Sequence, residues 1–370
     1  MKTMLVARMH EVGAPLRLDT LPIPVPGPTD VLVAVKACNL VPNLKNVLTH
    51  YPDWHPEKPL PELPASFGLD ATGVVAEVGS QVLSVRAGDR VYVIAGLGCG
   101  SCRTCRSGDM ISCRSFTYRG YFGRGPLARK LFQHYPYGGL SEYLTAPQAM
   151  LVKLPDKVSF EEGSRFGYLG TAYSALRKGG VGPARSVLIN AIGGTLGLGA
   201  TLLALAMGAT KILGTGRNQA LLDRVKALAP DRIEVMSVLD RSRSIKDWAW
   251  SLTDGEGVDA VIDALPPRSP TSAIMEALRA LRVGGRGVLP GGVKEALTLD
   301  PFWLTDNNAH LMGSRWFTTA EGEDMAQMAA AGTLNLSVFE HRRFPLAKVN
   351  DAISSLGGRN GGFTNFVVVP

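Results

Sequence analysis

Cys99, Cys102, Cys105 and Cys113 fall within fifteen residues and account for four of the five cysteines in the 370-residue chain. This spacing lets one short lobe wrap around a single ion and offer four sulfurs tetrahedrally, as Zn²⁺ prefers. All four positions are then filled by protein, so the metal is structural and no position is left for water or substrate. The competing readings are an iron–sulfur cluster and a redox-active thiol pair. Iron–sulfur motifs carry a different last spacing and often a following proline, whereas Arg114 follows here. A secreted disulfide protein spreads its cysteines instead. Cys38 follows an apolar strand without a basic neighbour and reads as a small buried hydrophobe.

The length favours two domains, each with enough chain for a core. With 45% hydrophobic and 19% charged residues, disordered and low-complexity classes are excluded. The longest apolar stretch, Leu198 to Met207, is too short to cross a bilayer, and the first residues lack the pattern of a signal peptide. The expectation is a soluble, cytoplasmic protein that does not engage membranes. The formal charge of +7 is scattered, without a basic run or a nucleic-acid-binding module. It reads as a solvated surface, partly explained by a phosphorylated cofactor, and nucleic acid is not an expected partner.

The first third is β-rich: Val31 to Ala37, Ala71 to Gly79 and Asp89 to Val93 are strands, separated by Pro-rich loops. From about residue 160, apolar strands alternate with helices. Ser186 to Asn190 precedes a glycine turn and a helix to Met207. Lys211 to Thr215 precedes a helix over Gln219 to Leu228. Val258 to Asp263 and Arg286 to Leu289 are further strands, and Phe366 to Val369 is the last. Such alternation means an α/β fold with a doubly wound parallel sheet.

The four-cysteine lobe, the segment Gly68 to Gly79, Ala87-Gly88-Asp89-Arg90-Val91 and Gly138-Gly139-Leu140-Ser141-Glu142-Tyr143 together resemble the medium-chain dehydrogenase/reductase superfamily, the zinc alcohol dehydrogenase-like proteins. The resemblance covers nearly the whole chain. It implies a GroES-like β-barrel catalytic domain over residues 1–158, a Rossmann NADP-binding domain over 159–310 and a return to the catalytic domain over 311–370. The active site then lies in the cleft between them. It also implies a homodimer or homotetramer acting on a small-molecule substrate.

The resemblance also exposes what is missing. Where zinc alcohol dehydrogenases carry a Cys–His pair, this chain has Val41 and Pro42. Their Gly-His-Glu reads Gly68-Leu69-Asp70, and their third ligand would fall near Gly167. None of the six histidines sits at a matching position. The expectation is one structural zinc and no catalytic metal. In the zinc enzymes the metal polarises the carbonyl and stabilises the alkoxide. Without it, hydride transfer suits a conjugated double bond, whose adduct is a resonance-stabilised enolate. A ketone or aldehyde then needs a hydrogen-bond donor or acid in the metal's place. Carbonyl reduction or alcohol oxidation is the runner-up, and a non-catalytic NADPH-binding relative the third reading. Pro42 also matches the Asn-Pro loop of the zinc-free quinone-reductase branch, with Val41 replacing the Asn.

Ala191-Ile192-Gly193-Gly194-Thr195-Leu196-Gly197 lies between a strand and a helix and is similar to the quinone-reductase dinucleotide loop. Gly194, Thr195, Leu196 and Gly197 are the expected pyrophosphate contacts, at the helix N-terminus. Where NAD enzymes place an acid after the second strand, this chain has Gly216, then Arg217 and Asn218. Arg217 can pair with a 2′-phosphate and Asn218 can add a hydrogen bond, so NADPH is the expected cofactor. The resemblance puts Thr171 against nicotinamide, Asn43 at the family's hydroxyl proton relay, and Tyr51, Trp54 and His55 in the substrate-pocket loop. Tyr51 is the proton-donor candidate among them, with plain packing as the alternative, while Asn43 either holds a substrate oxygen or is a turn residue. Trp303 and Trp316 fall where a cleft wall or second subunit contributes, with packing as their alternative.

Overall fold

A computed structural model describes residues 2–240 and 242–370. The first sheet is organised around Asp30–Asn39, whose β-branched run suits a strand buried on both faces. It pairs antiparallel with Asp70–Val78 on one side and with Tyr143–Pro147 and Thr364–Val369 on the other. Register shifts between Leu32 and Val33 and between Val35 and Ala37 bend this strand, as bulges do where a sheet curls into a barrel. One face buries Val31, Val33, Val35, Val75, Val91 and Leu144 together. The pairing of Val367 with Asn39 and Val368 with Cys38 brings the end of the chain back into this sheet. Glu340–Pro345 lies parallel beside the last strand.

The second sheet has six strands, all parallel: Ile233–Ser237, Lys211–Gly216, Ser186–Asn190, Val258–Asp263, Leu281–Leu289 and His310–Gly313, in that spatial order. The order reverses beside Ser186–Asn190, which opens a crevice at the carboxyl ends of that strand and Val258–Asp263. The fold is therefore α/β, a GroES-like barrel with a Rossmann sheet. Two strands carry no clear sequence signal. Ile233–Ser237 and His310–Gly313 lie at the sheet's edges and are only partly buried, so their residues never form an apolar run. Leu281–Leu289 starts five residues before the expected Arg286, because Arg282 and two glycines interrupt its apolar pattern.

The helix Phe166–Lys178 joins the two bodies. Its neighbour Thr195–Ala206 packs against it, with the space at Gly199 taken up by Leu169. Tyr92 of the barrel stacks near Phe166 and Phe317, at 5.6 and 6.4 Å between ring centres. One apolar cluster thus runs from Tyr92 through Phe166 and Leu198 to Ile262. Among the described residues, no helix is long and apolar enough to cross a membrane.

Candidate active site

The four thiols converge as their spacing requires. A short helix over Arg103–Arg106 turns the lobe back on itself, and the 3-10 turn Met110–Ser112, capped by Asp109, delivers Cys113. All four sulfurs lie within 4.8 Å of one another, and Cys102 and Cys113 Sγ are 3.9 Å apart. Tetrahedral Zn–S bonds of about 2.3 Å put sulfurs roughly 3.8 Å apart, so this donor set fits a zinc ion. Among the described residues it is the one such group of three or more potential ligands.

Where the resemblance expects ligands for a catalytic metal, the chain has Val41, Leu69 and Gly167, with Asp70 against Gly167. Val41 and Leu69 are buried apolar side chains. Asp70 is fully buried, accepts from the Tyr92 hydroxyl at 2.8 Å and from Asn39 Nδ2 at 3.3 Å, and lies where a Cβ on Gly167 would be. Burial pushes its carboxyl up to about 7, opposed by those two hydrogen bonds and the field of Arg165. Arg165 is itself buried, donates to the Gly362 carbonyl at 3.2 Å and covers the Phe339 ring. Cys38 is fully buried with its thiol pushed far up, chiefly by burial.

The dinucleotide turn follows Ser186–Asn190. Ala191 adopts a left-handed conformation at φ 62°, and Gly194 begins the helix without a side-chain cap. A side chain on Gly197 would strike the Ala191 carbonyl and the Ile192 backbone, so the tight turn needs glycine there. Thr195 and Leu196 are both largely buried at the helix start. The amides at the helix start and the open glycine backbone fit a pyrophosphate.

Arg359, which sequence reasoning missed, completes this cradle. Its Nη1 donates to Thr195 Oγ1 at 3.1 Å and its Nη2 to the Leu40 carbonyl at 3.0 Å, while its buried Nε has no partner. The adjacent Gly362 amide donates to the Gly193 carbonyl at 2.8 Å. The cation thus arrives from the far end of the chain, 164 positions from its threonine. Asn190 was missed as well. It accepts from Thr215 at 2.7 Å and donates to Asp263 at 3.1 Å, forming a polar chain across three strand ends. A polar residue closing each apolar strand was the available signal.

At the second strand's end stands Gly216, where a Cβ would press on Leu222 Cδ2 at 3.0 Å. Arg217 is exposed. Asn218 caps the helix Gln219–Lys226, its side-chain oxygen accepting from the Leu221 amide at 3.2 Å. That leaves only the Asn218 amide group for a ligand. Thr171 lies in the joining helix and donates to the Gly167 carbonyl at 2.9 Å.

Asn43 and Tyr51 come together, with Asn43 Nδ2 2.9 Å from the Tyr51 hydroxyl. Tyr51 is nearly buried between His55 and Phe122, and burial raises its pKa despite the Asn43 contact. Tyr118 and Trp316 continue this aromatic wall edge to face at 5.0 Å, and Trp316 is buried. Trp303 packs instead within the Rossmann core.

Comparison with known proteins matches residues 27–156 to the alcohol dehydrogenase GroES-like domain and residues 195–331 to the zinc-binding dehydrogenase domain. The chain is 30% identical to an L-idonate 5-dehydrogenase of Vitis vinifera over 77% of its own length and 72% of that protein's. The chain belongs to the zinc-type alcohol dehydrogenase family of the medium-chain dehydrogenase/reductase superfamily. It is therefore an oxidoreductase of the dehydrogenase class. An alcohol dehydrogenase of Geobacillus stearothermophilus is 28% identical over 95% of this chain and 96% of that one. A protein of Sinorhizobium meliloti 1021, described as a zinc-binding dehydrogenase and solved bound to NADP, shares the fold. Its TM-score is 0.80 with 23% identity, and the match covers both chains in full.

Proposed function

We propose that this family member is an NADPH-dependent reductase that delivers hydride to an activated, conjugated double bond without a catalytic metal. The observation that carries the reading is the cleft occupied by Val41, Leu69 and Gly167, with the Asp70 carboxylate already committed to Tyr92 and Asn39. Valine, leucine and glycine side chains donate nothing to a metal. The exposed Arg217 beside Gly216 supports NADPH over NADH, by pairing with a 2′-phosphate that an acid at that position would repel. The four cysteines hold one structural zinc, and the protein acts in the cytoplasm as a homodimer or homotetramer.

Bound NADPH would supply the hydride. The chain's part is to hold and orient. Arg359 and the amides at the start of Thr195–Ala206 would hold the pyrophosphate, and Thr171 would contact the nicotinamide. Hydride addition to the β-carbon of an enone or enal leaves an enolate that spreads its own charge, so no Lewis acid is needed there. Tyr51, its hydroxyl held by Asn43, supplies the proton that completes reduction. That same contact favours a second reading, reduction of an isolated carbonyl with Tyr51 as obligatory acid. Turnover of matched enones and saturated ketones with NADPH separates the two. Faster reduction of the saturated ketone would overturn the first reading, and no NADPH consumption across both panels would leave a non-catalytic relative.

A further inference from the structure

Four cations gather along the aromatic wall with few acids between them. Lys58 Nζ lies 5.7 Å from the centre of the Tyr51 ring and 5.6 Å from that of Phe122. Lys294, from the loop after the fifth Rossmann strand, covers Trp54 at 4.8 Å, so this cation reaches the barrel's substrate loop from across the cleft. Its loop is tied to the crevice, because the Gly292 amide donates to the Leu265 carbonyl at 3.1 Å and Gly291 has no room for a side chain beside Asp263. Arg315 covers Phe116 at 4.8 Å and donates to the Ile111 carbonyl. Arg124 is half-buried, and its Nε is shielded from solvent without a hydrogen-bond partner.

The nearby acids offset this group only in part: Glu57 acts on Lys58, and Asp109 and the Cys113 thiol on Arg315. Glu57 Oε1 pairs with His55 Nδ1 at 3.1 Å on an otherwise solvent-facing side chain. Asp109 is occupied with the Ser112 amide. Among the described residues, neither Lys58 nor Arg124 forms an ion pair. Burial and the neighbouring charges of Arg124 and Lys294 all weaken the hold of Lys58 on its proton, with Glu57 opposing them. Gathering unpaired like charges on a half-buried apolar wall works against folding unless a ligand of opposite sign repays it.

We infer that the substrate carries an anionic group, a carboxylate or a phosphate, which Lys58 and Arg124 bind beside Tyr51, with Lys294 and Arg315 adding to the attraction. This rests on the proposed function for the reactive end of the substrate, whereas the anion site stands on the cation group alone. The anion satisfies the Arg124 donor and the Lys58 ammonium, and orients the double bond toward the cleft interior.

The test is calorimetric binding to the protein saturated with NADP⁺, so that the cofactor's own anion site is filled. The probes are 4-oxopentanoate, its neutral methyl ester, and dihydroxyacetone phosphate. Either anion should bind about tenfold or more tightly than the ester, and the advantage should fall with added salt. Which of the two anions binds tells carboxylate from phosphate. Lys58→Gln and Arg124→Gln should each erase the advantage without weakening ester binding, and Lys58→Arg should restore most of it. Equal binding of the ester and both anions, or an advantage unchanged in both Gln variants, would overturn the inference. Turnover of 4-oxopent-2-enoate and its methyl ester reports separately on the reaction. If anion binding follows Lys58 while neither enone is reduced, the anion site stands and the double-bond reading fails. If both enones are reduced equally well and neither anion is preferred in binding, the reverse holds.

Discussion

Asp70 holds its carboxylate in the space that any side chain at Gly167 would need. The Asp70 carboxyl and a side chain at position 167 therefore exclude each other sterically. Gly167→Ala should therefore cost about 1–3 kcal/mol through overpacking of a buried site. Thermal denaturation would register the loss. An unchanged melting temperature would show that Asp70 can move aside, and with it the obstacle to a side chain at that position.

Asp70 also sets a pH dependence. Burial raises its carboxyl from 3.8 to about 7, so the folded state keeps a proton that the unfolded chain releases. The stability tied to this proton is fully present below about pH 4 and is lost as pH rises toward 7, by a few kcal/mol in order of magnitude. Asp70→Asn should flatten that segment of the profile. Urea denaturation of both proteins at about pH 5 and pH 8 measures the difference, and parallel profiles would place the titration elsewhere.

For the cofactor, the two arginines should separate cleanly. Arg217→Ala should weaken NADPH by about 1.5–3 kcal/mol, roughly ten- to a hundredfold, and leave NADH nearly unchanged. Arg359→Ala should weaken both, because Arg359 is bonded to Thr195 on the glycine turn proposed to take the pyrophosphate common to both cofactors. Fluorescence titration with each dinucleotide is the measurement. Equal losses for both cofactors in Arg217→Ala would make that residue structural.

Elemental analysis should find one zinc per chain, lost on Cys105→Ser together with stability of the lobe, since metal binding and folding are linked there. Two zinc ions per chain would overturn the proposal that the cleft works without a metal.

Tyr51→Phe should slow enone reduction only modestly, because an enolate can take its proton from water. An obligatory acid for an isolated carbonyl would instead cost about a hundredfold or more. Steady-state rates with both substrate types decide it.

Features carried by local pattern were legible in the sequence. The four thiols, the glycine turn after Ser186–Asn190 and the strand–helix alternation each depend on neighbours a few residues apart. Spacing and periodicity therefore exposed the lobe, the Rossmann sheet and the glycine turn before Thr195–Ala206. Tertiary structure alone decided what depends on distant segments meeting. Arg359 reaches Thr195, Lys294 crosses to Trp54, and Asp70 fills the space beside Gly167 only because the chain's end and the Rossmann loops fold back onto the barrel. Long-range contacts of this kind leave no periodic trace in the sequence. Burial, which moves the Asp70 proton and leaves an Arg124 donor without a partner, arises only once those surfaces close.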